Sequence, residues 1–426
     1  MTANDVRMNR EADCCADGHA GPALRLDVAL ERILAEAQPV GAAETLSVRA
    51  ALGRVLSEDV VARIDVPSHT NSAMDGYALR GADLAADGET RLRVIGRAAA
   101  GKPFSGEVGN GQCVRIMTGA TMPAGTDTVV MQENVRAEGD AAVIAGGQKP
   151  GQHVRQAGED LGAGDVVLPA GARVMPAELG MLASLGVGEV SVRRRPRVAF
   201  FSTGDELRMI GESLGAGQIY DSNRYTLYGM LTRLGVETLD MGIVRDEPRA
   251  VERAFREAAR QADAIVTSGG VSVGDADYVT RTLESMGTVG FWKVAMKPGR
   301  PLAFGRIGEA LFFGLPGNPV SAMATFYQLV QPAIQALAGL PDPGPPPTLP
   351  AVSAAPLPKK PGRREFQRGI LASDADGRLV VREAGQRGSG ILSSMSRANC
   401  FIVLPEESGP VEAGDEVWVQ PFAAFV

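Results

Sequence analysis

The chain has 426 residues, 22% charged and 45% hydrophobic, with a formal net charge of -7. That length makes about two to four soluble domains. The acidic balance excludes nucleic acid and anionic membranes as expected partners, because both need a concentrated basic face.

In chain order, residues 1–22 are polar and rich in Gly, Ala and Asp, and read as a disordered tail. Leu26, Ala29, Leu30, Ile33 and Leu34 fall at helical spacing, which predicts a helix over 25–37. From 48 to 192 come short β-branched runs broken by Gly and Pro, such as 91–96, 113–117, 127–131 and 165–168. They predict small β-rich modules, with one short helix at 177–185 before Gly186.

From Pro196 strands and helices alternate. Val198-Ala199-Phe200-Phe201 is continuously apolar, as for a strand buried on both faces. Asn223 is placed to cap a helix with Leu227, Met230, Leu231 and Leu234 in one stripe, closed by Gly235. A strand at 239–244, a helix presenting Val251, Ala254, Phe255 and Ala258, strands at 264–267 and 291–296, and a helix over 320–337 complete the unit. Such alternation predicts a parallel sheet between helices. The run Leu340–Pro347 is mostly proline and marks a boundary, after which 348–426 returns to short alternating strands.

In open α/β sheets ligands bind beyond the carboxyl ends of the strands. Here those ends carry Ser202-Thr203-Gly204-Asp205-Glu206, then Arg245-Asp246-Glu247, the loop 268–278 (Ser268, Gly269, Gly270, Ser272, Asp275, Asp277), Lys297-Pro298-Gly299-Arg300, and Gly314-Leu315-Pro316-Gly317-Asn318-Pro319. One Gly-Gly turn or one post-strand Asp is ordinarily structural; five such loops on one edge argue for a site. Glycines let backbone N–H groups approach an anion. Lys293, Lys297 and Arg300 supply positive charge, and the clustered carboxylates fit Mg²⁺ chemistry on phosphate or oxyanion. Cys14, Cys15, Cys113 and Cys400 show no metal-ligand spacing, and so few cysteines suit a reducing compartment. No signal peptide, membrane-length apolar stretch or repeat appears, so a cytoplasmic protein is expected.

Taken in order, Asn71-Ser72-Ala73-Met74-Asp75-Gly76-Tyr77-Ala78, Arg115-Ile116-Met117-Thr118-Gly119-Ala120, Gly158-Glu159-Asp160 and the loops above resemble the molybdopterin molybdenumtransferases, relatives of the C-terminal region of gephyrin. The resemblance runs from about residue 23 onward; the tail has no counterpart, and His69-Thr70 depart from the usual pattern before Asn71. It implies an α/β plus β multidomain fold: a segmented domain (23–63 and 157–195), an inserted β-domain (64–156), a three-layer α/β molybdopterin-binding domain (196–340) and a C-terminal β-barrel-like domain (348–426). It implies insertion of molybdate into adenylylated molybdopterin with release of AMP, dependent on Mg²⁺, in a homodimer with a composite site. Contact with other molybdenum-cofactor biosynthesis proteins is a further implication.

Carried over by motif, Asp75, Thr118, Asp160, Glu206, Asp246 and Asp277 take catalytic roles, with Asp246 and Asp277 as metal ligands. Asp205, Ser268, Gly269, Gly270, Ser272, Lys293, Lys297, Arg300, Pro316, Pro319, Arg368 and Ser389 bind substrate. A scaffold of the gephyrin kind would carry a long linker and a fused pterin-binding unit. A molybdopterin adenylyltransferase would lack the flanking β-domains.

Overall fold

The computed structural model describes residues 23–269, 283 and 285–425. The tail with Cys14 and Cys15, and the Gly270, Ser272 and Asp277 part of the glycine loop, lie outside the described residues. The chain divides into two compact units, one of 1–44 with 193–426 and one of 45–192.

In the first unit six strands order as Glu237–Val244, Arg197–Thr203, Ala264–Ser268, Ala310–Leu315, Pro301–Ile307 and Gly287–Lys293. The alternating side chains of Arg197–Thr203 explain the layering. Val198 and Phe200 enter a core shared with helices Leu26–Glu36 and Ser222–Arg233 and the helical run from Pro319 to Leu337. Ala199 and Phe201 enter a second core under helix Pro248–Gln261, through Val251, Ala254, Phe255 and Ala258. Both faces are thus covered, the three-layer arrangement.

Three details correct the sequence reading. The sheet is mixed: the first four strands are parallel, but Pro301–Ile307 runs antiparallel to both neighbours. The reason is the tight Gly308-Glu309 turn, with Gly308 at φ 59°, since a parallel pair needs a long crossover. The strand expected at 291–296 lies at Gly287–Lys293; the chain then leaves the sheet, and Met296–Lys297 pairs with Arg364–Glu365 instead. The helix expected over 320–337 contains a π turn, Phe326–Val330, just before Pro332, whose missing N–H interrupts the helical ladder.

After the proline-rich run, strands Leu349–Ser353, Arg364–Ser373, Leu379–Glu383, Cys400–Leu404 and Glu416–Pro421 pair in a ring that closes when Arg364–Ser373 meets Cys400–Leu404. Ala351, Val381, Ile402, Val417 and Val419 fill this five-stranded barrel. Gly369 is required there: a Cβ would lie 2.8 Å from Cys400 Sγ and 2.8 Å from an Ile402 side-chain carbon. Burial pushes the Cys113 and Cys400 thiols up to about 12, so neither supplies a thiolate at neutral pH.

The second unit holds a six-stranded sheet in which Gly76–Leu79 lies between Thr128–Met131 and Gln112–Ile116. A Cβ at Gly76 would stand 2.0 Å from the Val130 carbonyl oxygen, so the strand can follow Asp75 only with glycine there. Beside it, Ala51, Leu56, Leu168, Leu182 and Val192 form a small core with helix Pro176–Ser184.

At the amino end of the large sheet, both Arg194 guanidinium nitrogens donate to the Asp263 carboxylate at 2.7 Å, and the Arg197 N–H donates to it at 2.7 Å. Burial alone would raise this carboxyl, but the Arg194 and Arg197 hydrogen bonds outweigh it and hold Asp263 below the usual carboxylate range. A depressed carboxyl stabilises the fold above its unfolded-state pKa and loses that contribution on acidification. Asp263→Asn is therefore expected to lower stability by about 1–3 kcal/mol at pH 7. In urea unfolding the gap from wild type should shrink below about pH 4.

Candidate active site

Because Pro301–Ile307 is antiparallel to both neighbours, the carboxyl end of Gly287–Lys293 shares an edge with those of the four parallel strands. The polar segments that follow Thr203, Val244, Lys293 and Leu315, and the Ser268-Gly269 strand end, therefore open on one side. Six strands at about 4.8 Å spacing make that edge roughly 24 Å long, the span of a nucleotide-sized ligand rather than of a free oxyanion.

One end of the edge is acidic. Gly204, at φ 150°, reverses the chain, and the Glu206 carboxylate folds back over it. Arg208 holds the loop by donating to the Asp205 carbonyl at 3.0 Å. The Asp246 N–H donates to Asp205 Oδ1 at 3.4 Å. Burial, then the nearby charges of Asp205 and Glu206, push the Asp246 carboxyl above its usual range, and its buried Oδ1 has no hydrogen-bond partner.

That orphaned oxygen among three carboxylates fits one divalent cation held by one or two carboxylates, the ordinary mode for Mg²⁺. Among the described residues no three Asp, Glu, His or Cys side chains form a closed metal cage.

The other end is basic. Lys293 ends its strand and Arg300 is exposed. Lys297 donates to Glu365 Oε1 at 3.2 Å, from an exposed position onto a buried carboxylate of the barrel. Glu365 also accepts from Gln367 Nε2 at 3.1 Å. The barrel reaches the same edge through Ser389, whose carbonyl accepts the Val320 N–H at 3.0 Å, just after Pro319. Buried Arg368 shapes that loop, donating to Ser394 Oγ at 3.1 Å and to the Gln386 carbonyl at 2.9 Å. Its contacts are thus within the barrel, and it supports Ser389 from behind.

Between the two ends the Gly269 N–H donates to the Leu315 carbonyl at 3.2 Å. A Cβ at Gly269, which has φ 89°, would lie 2.5 Å from the Thr203 carbonyl oxygen. Beside this close approach is a cleft lined by Ser202, Thr203, Glu206, Asp221, Asn223, Ser268, Gly269, Gly317 and Pro319.

Sequence reasoning missed two of these residues. Asp221, not Asn223, caps the helix, its carboxylate accepting the Arg224 N–H at 3.1 Å. Asn223 instead donates to Ser268 Oγ and to the Gly317 carbonyl, both at 2.7 Å. The run Asp221-Ser222-Asn223 was the available signal, since one cap needs only one short polar side chain.

In the second unit, the Thr118 N–H and hydroxyl both donate to Asp75 Oδ1 at 2.7 Å. These bonds, backbone first, hold the Asp75 carboxyl below its usual range. Asp160 lies in an exposed loop and its N–H donates to the Val66 carbonyl at 3.0 Å.

A covered α/β sheet with an acidic-to-basic loop edge, joined to a closed barrel, defines a multidomain α/β-plus-β enzyme. Family profiles match along the chain: "MoeA N-terminal region (domain I and II)" over 24–186, "Probable molybdopterin binding domain" over 199–336 and "MoeA C-terminal region (domain IV)" over 350–422. A molybdopterin molybdenumtransferase of Haemophilus influenzae is 46% identical over 400 residues, covering 94% of this chain and 98% of the relative. One from Bacillus subtilis is 34% identical, covering 92% and 93%. The crystal structure of a molybdopterin biosynthesis MoeA protein from Pyrococcus horikoshii superposes with a TM-score of 0.81 at 29% identity, covering 94% of this chain and 100% of that one. The chain belongs to the molybdopterin molybdenumtransferase (MoeA) family, transferases of molybdenum-cofactor biosynthesis.

Asp246 ties the site to stability, because a half-buried carboxylate beside two others opposes folding while no cation is bound. In metal-free buffer Asp246→Asn is expected to raise the melting temperature by roughly 1–2 °C. Differential scanning calorimetry checks this; a lower melting temperature would mean that Asp246 is already satisfied by the fold.

Proposed function

We propose that this protein inserts molybdate into adenylylated molybdopterin and releases AMP, in the cytoplasm and with Mg²⁺. The observation that carries this reading is the single sheet edge with carboxylates at one end, basic side chains at the other and a polar-lined cleft between.

Lys293, Lys297 and Arg300 draw in the oxyanion and the phosphate oxygens, and Ser389 and the Pro316–Pro319 turn bound the same end. Glu365 accepts from Lys297 and fixes where its ammonium points; the remaining two ammonium hydrogens stay free to donate to an oxyanion. At the acidic end Asp205, Glu206 and Asp246 orient attack on the phosphoanhydride, with Asp277, Gly270 and Ser272 joining them by family resemblance. Mg²⁺, held by Asp246 and Asp277, would neutralise charge on the phosphoanhydride oxygens.

The same reading includes a homodimer in which Asp75, Thr118 and Asp160 of one subunit complete the site of the other. Two observations support it. The Asp75–Thr118 pair is assembled locally yet Asp75 stays partly exposed. Met209, Ile210, Leu214, Tyr225 and Tyr228 are large apolar side chains left exposed in the first unit. No helix of the described residues is long and apolar enough to cross a membrane.

The direct test supplies purified protein with adenylylated molybdopterin, molybdate and Mg²⁺, and follows AMP release and activation of a cofactor-free molybdoenzyme. Wild type should support both, and Lys297→Ala should cut kcat/KM for molybdate about 10–100-fold. Undiminished conversion by Lys297→Ala would remove the lysine from the site. For the dimer, light scattering at micromolar concentration should return twice the subunit mass of 44.5 kDa; a single-subunit mass would overturn the composite site.

A further inference from the structure

We propose that the cleft at the helix start Asp221–Asn223 recognises the N–H edge of the pterin, with Asp221, Asn223 and Thr203 as the specificity-determining residues. The inference rests on the proposed function and adds which end of the substrate lies there.

Ser202, Thr203, Asp221 and Asn223 are 1%, 6%, 2% and 8% exposed, and all four line the one cleft. Each has a buried oxygen with no hydrogen-bond partner: Ser202 Oγ, Thr203 Oγ1, Asp221 Oδ2 and Asn223 Oδ1. Buried polar atoms are nearly always paired, so four orphans around one cavity call for a ligand.

Their chemistry selects that ligand. Both Asn223 amide hydrogens are committed, to Ser268 Oγ and the Gly317 carbonyl, which fixes Oδ1 as an acceptor. Asp221 Oδ1 already takes the Arg224 N–H, and Oδ2 lies 3.4 Å from Arg224 Nε outside hydrogen-bond geometry, so a second acceptor remains. Arg224 is itself drawn to Asp240 at 2.8 Å and holds this corner in place. The cleft thus offers two fixed acceptors, Asp221 Oδ2 and Asn223 Oδ1, beside the Ser202 and Thr203 hydroxyls, which accept or donate, so its fixed groups ask for donors.

The substrate's two heterocycles differ in this respect. A reduced pterin carries a 2-amino group, the lactam N3–H and further ring N–H groups. An N9-linked adenine carries one amino group, and its ring nitrogens are acceptors that would face the acceptors of the cleft. The cleft is a cavity of about 100 Å³ open to solvent, and exposed Ile219 and Tyr220 in its lining give an apolar surface for a flat ring. The Tyr220 hydroxyl donates to the Glu212 carbonyl at 2.9 Å, which steadies that side chain.

The test is a fluorescence titration of the full chain with 6-hydroxymethylpterin and with its lumazine counterpart, in which the 2-amino donor is replaced by a carbonyl acceptor. Wild type should prefer the pterin by about tenfold or more, because a site built for a donor rejects an analogue lacking it. Asp221→Asn keeps a competent helix cap yet can present N–H to the cleft, so it should abolish or reverse the preference. Thr203→Val, of similar shape, should weaken it, and decides the matter if the Asp221 variant loses its fold by circular dichroism. AMP should not displace the pterin. Equal or absent binding of the two probes by wild type, an unchanged preference in a folded variant, or displacement by AMP would overturn the inference. Normal molybdate insertion with no pterin preference would remove this inference and leave the proposed function standing; preference without insertion would do the reverse.

Discussion

Burial of the large sheet on both faces is the constraint from which the site follows. Phe200 and Phe201 are neighbours, yet each fills a different core, and neither is exposed to solvent. Burying such side chains contributes about 1.5–3 kcal/mol each, and it leaves no face of the sheet for a ligand. Polar loops can then emerge only at the strand ends. Acidic, glycine-rich and basic loops distant in sequence are gathered on one edge because the two faces are occupied.

A second consequence lies at the antiparallel end. Had Pro301–Ile307 been a parallel strand, the segment 294–300 would have crossed a face of the sheet. As a returning strand it keeps both ends of 294–300 at the site edge, so Lys293 and Arg300 stand at the two ends of one short excursion. Part of that excursion, Met296–Lys297, is bound to the barrel strand beginning at Arg364. The barrel therefore sets the position of Lys297 through backbone pairing as well as through Glu365. This gives a structural role to a domain that, as a sequence, shows only short alternating strands.

The site also carries local costs that the rest of the fold offsets. Asp246 is pushed up by burial and two neighbouring carboxylates. Four buried oxygens lack partners in one cleft. Two glycine positions, Gly204 and Gly269, keep positive φ, and at Gly269 a carbonyl oxygen stands 2.5 Å from where a Cβ would be. Such features are unfavourable for folding and are the kind that functional sites retain. The amino end of the same strands shows the opposite economy: the Asp263 carboxylate accepts from Arg194 at both oxygens and from the Arg197 N–H.

Much of this was legible from the sequence alone. The apolar runs of Arg197–Thr203 and Ala264–Ser268, the stripe of Pro248–Gln261 and the proline-rich spacer report burial and chain stiffness directly, because periodicity and ring constraints are local properties. So are the loop compositions that marked Asp205, Asp246, Lys297 and Pro316 as a set, and the ordered motifs that carried the family. Strand direction was not local: the antiparallel return of Pro301–Ile307 depends on a partner strand and on a two-residue turn. Nor was the division of labour in Asp221-Ser222-Asn223, where either short polar residue could cap the helix by propensity. Only the tertiary fold, by bringing Ser268 and Gly317 within hydrogen-bond reach of Asn223, committed that amide to the cleft and left Asp221 as the cap.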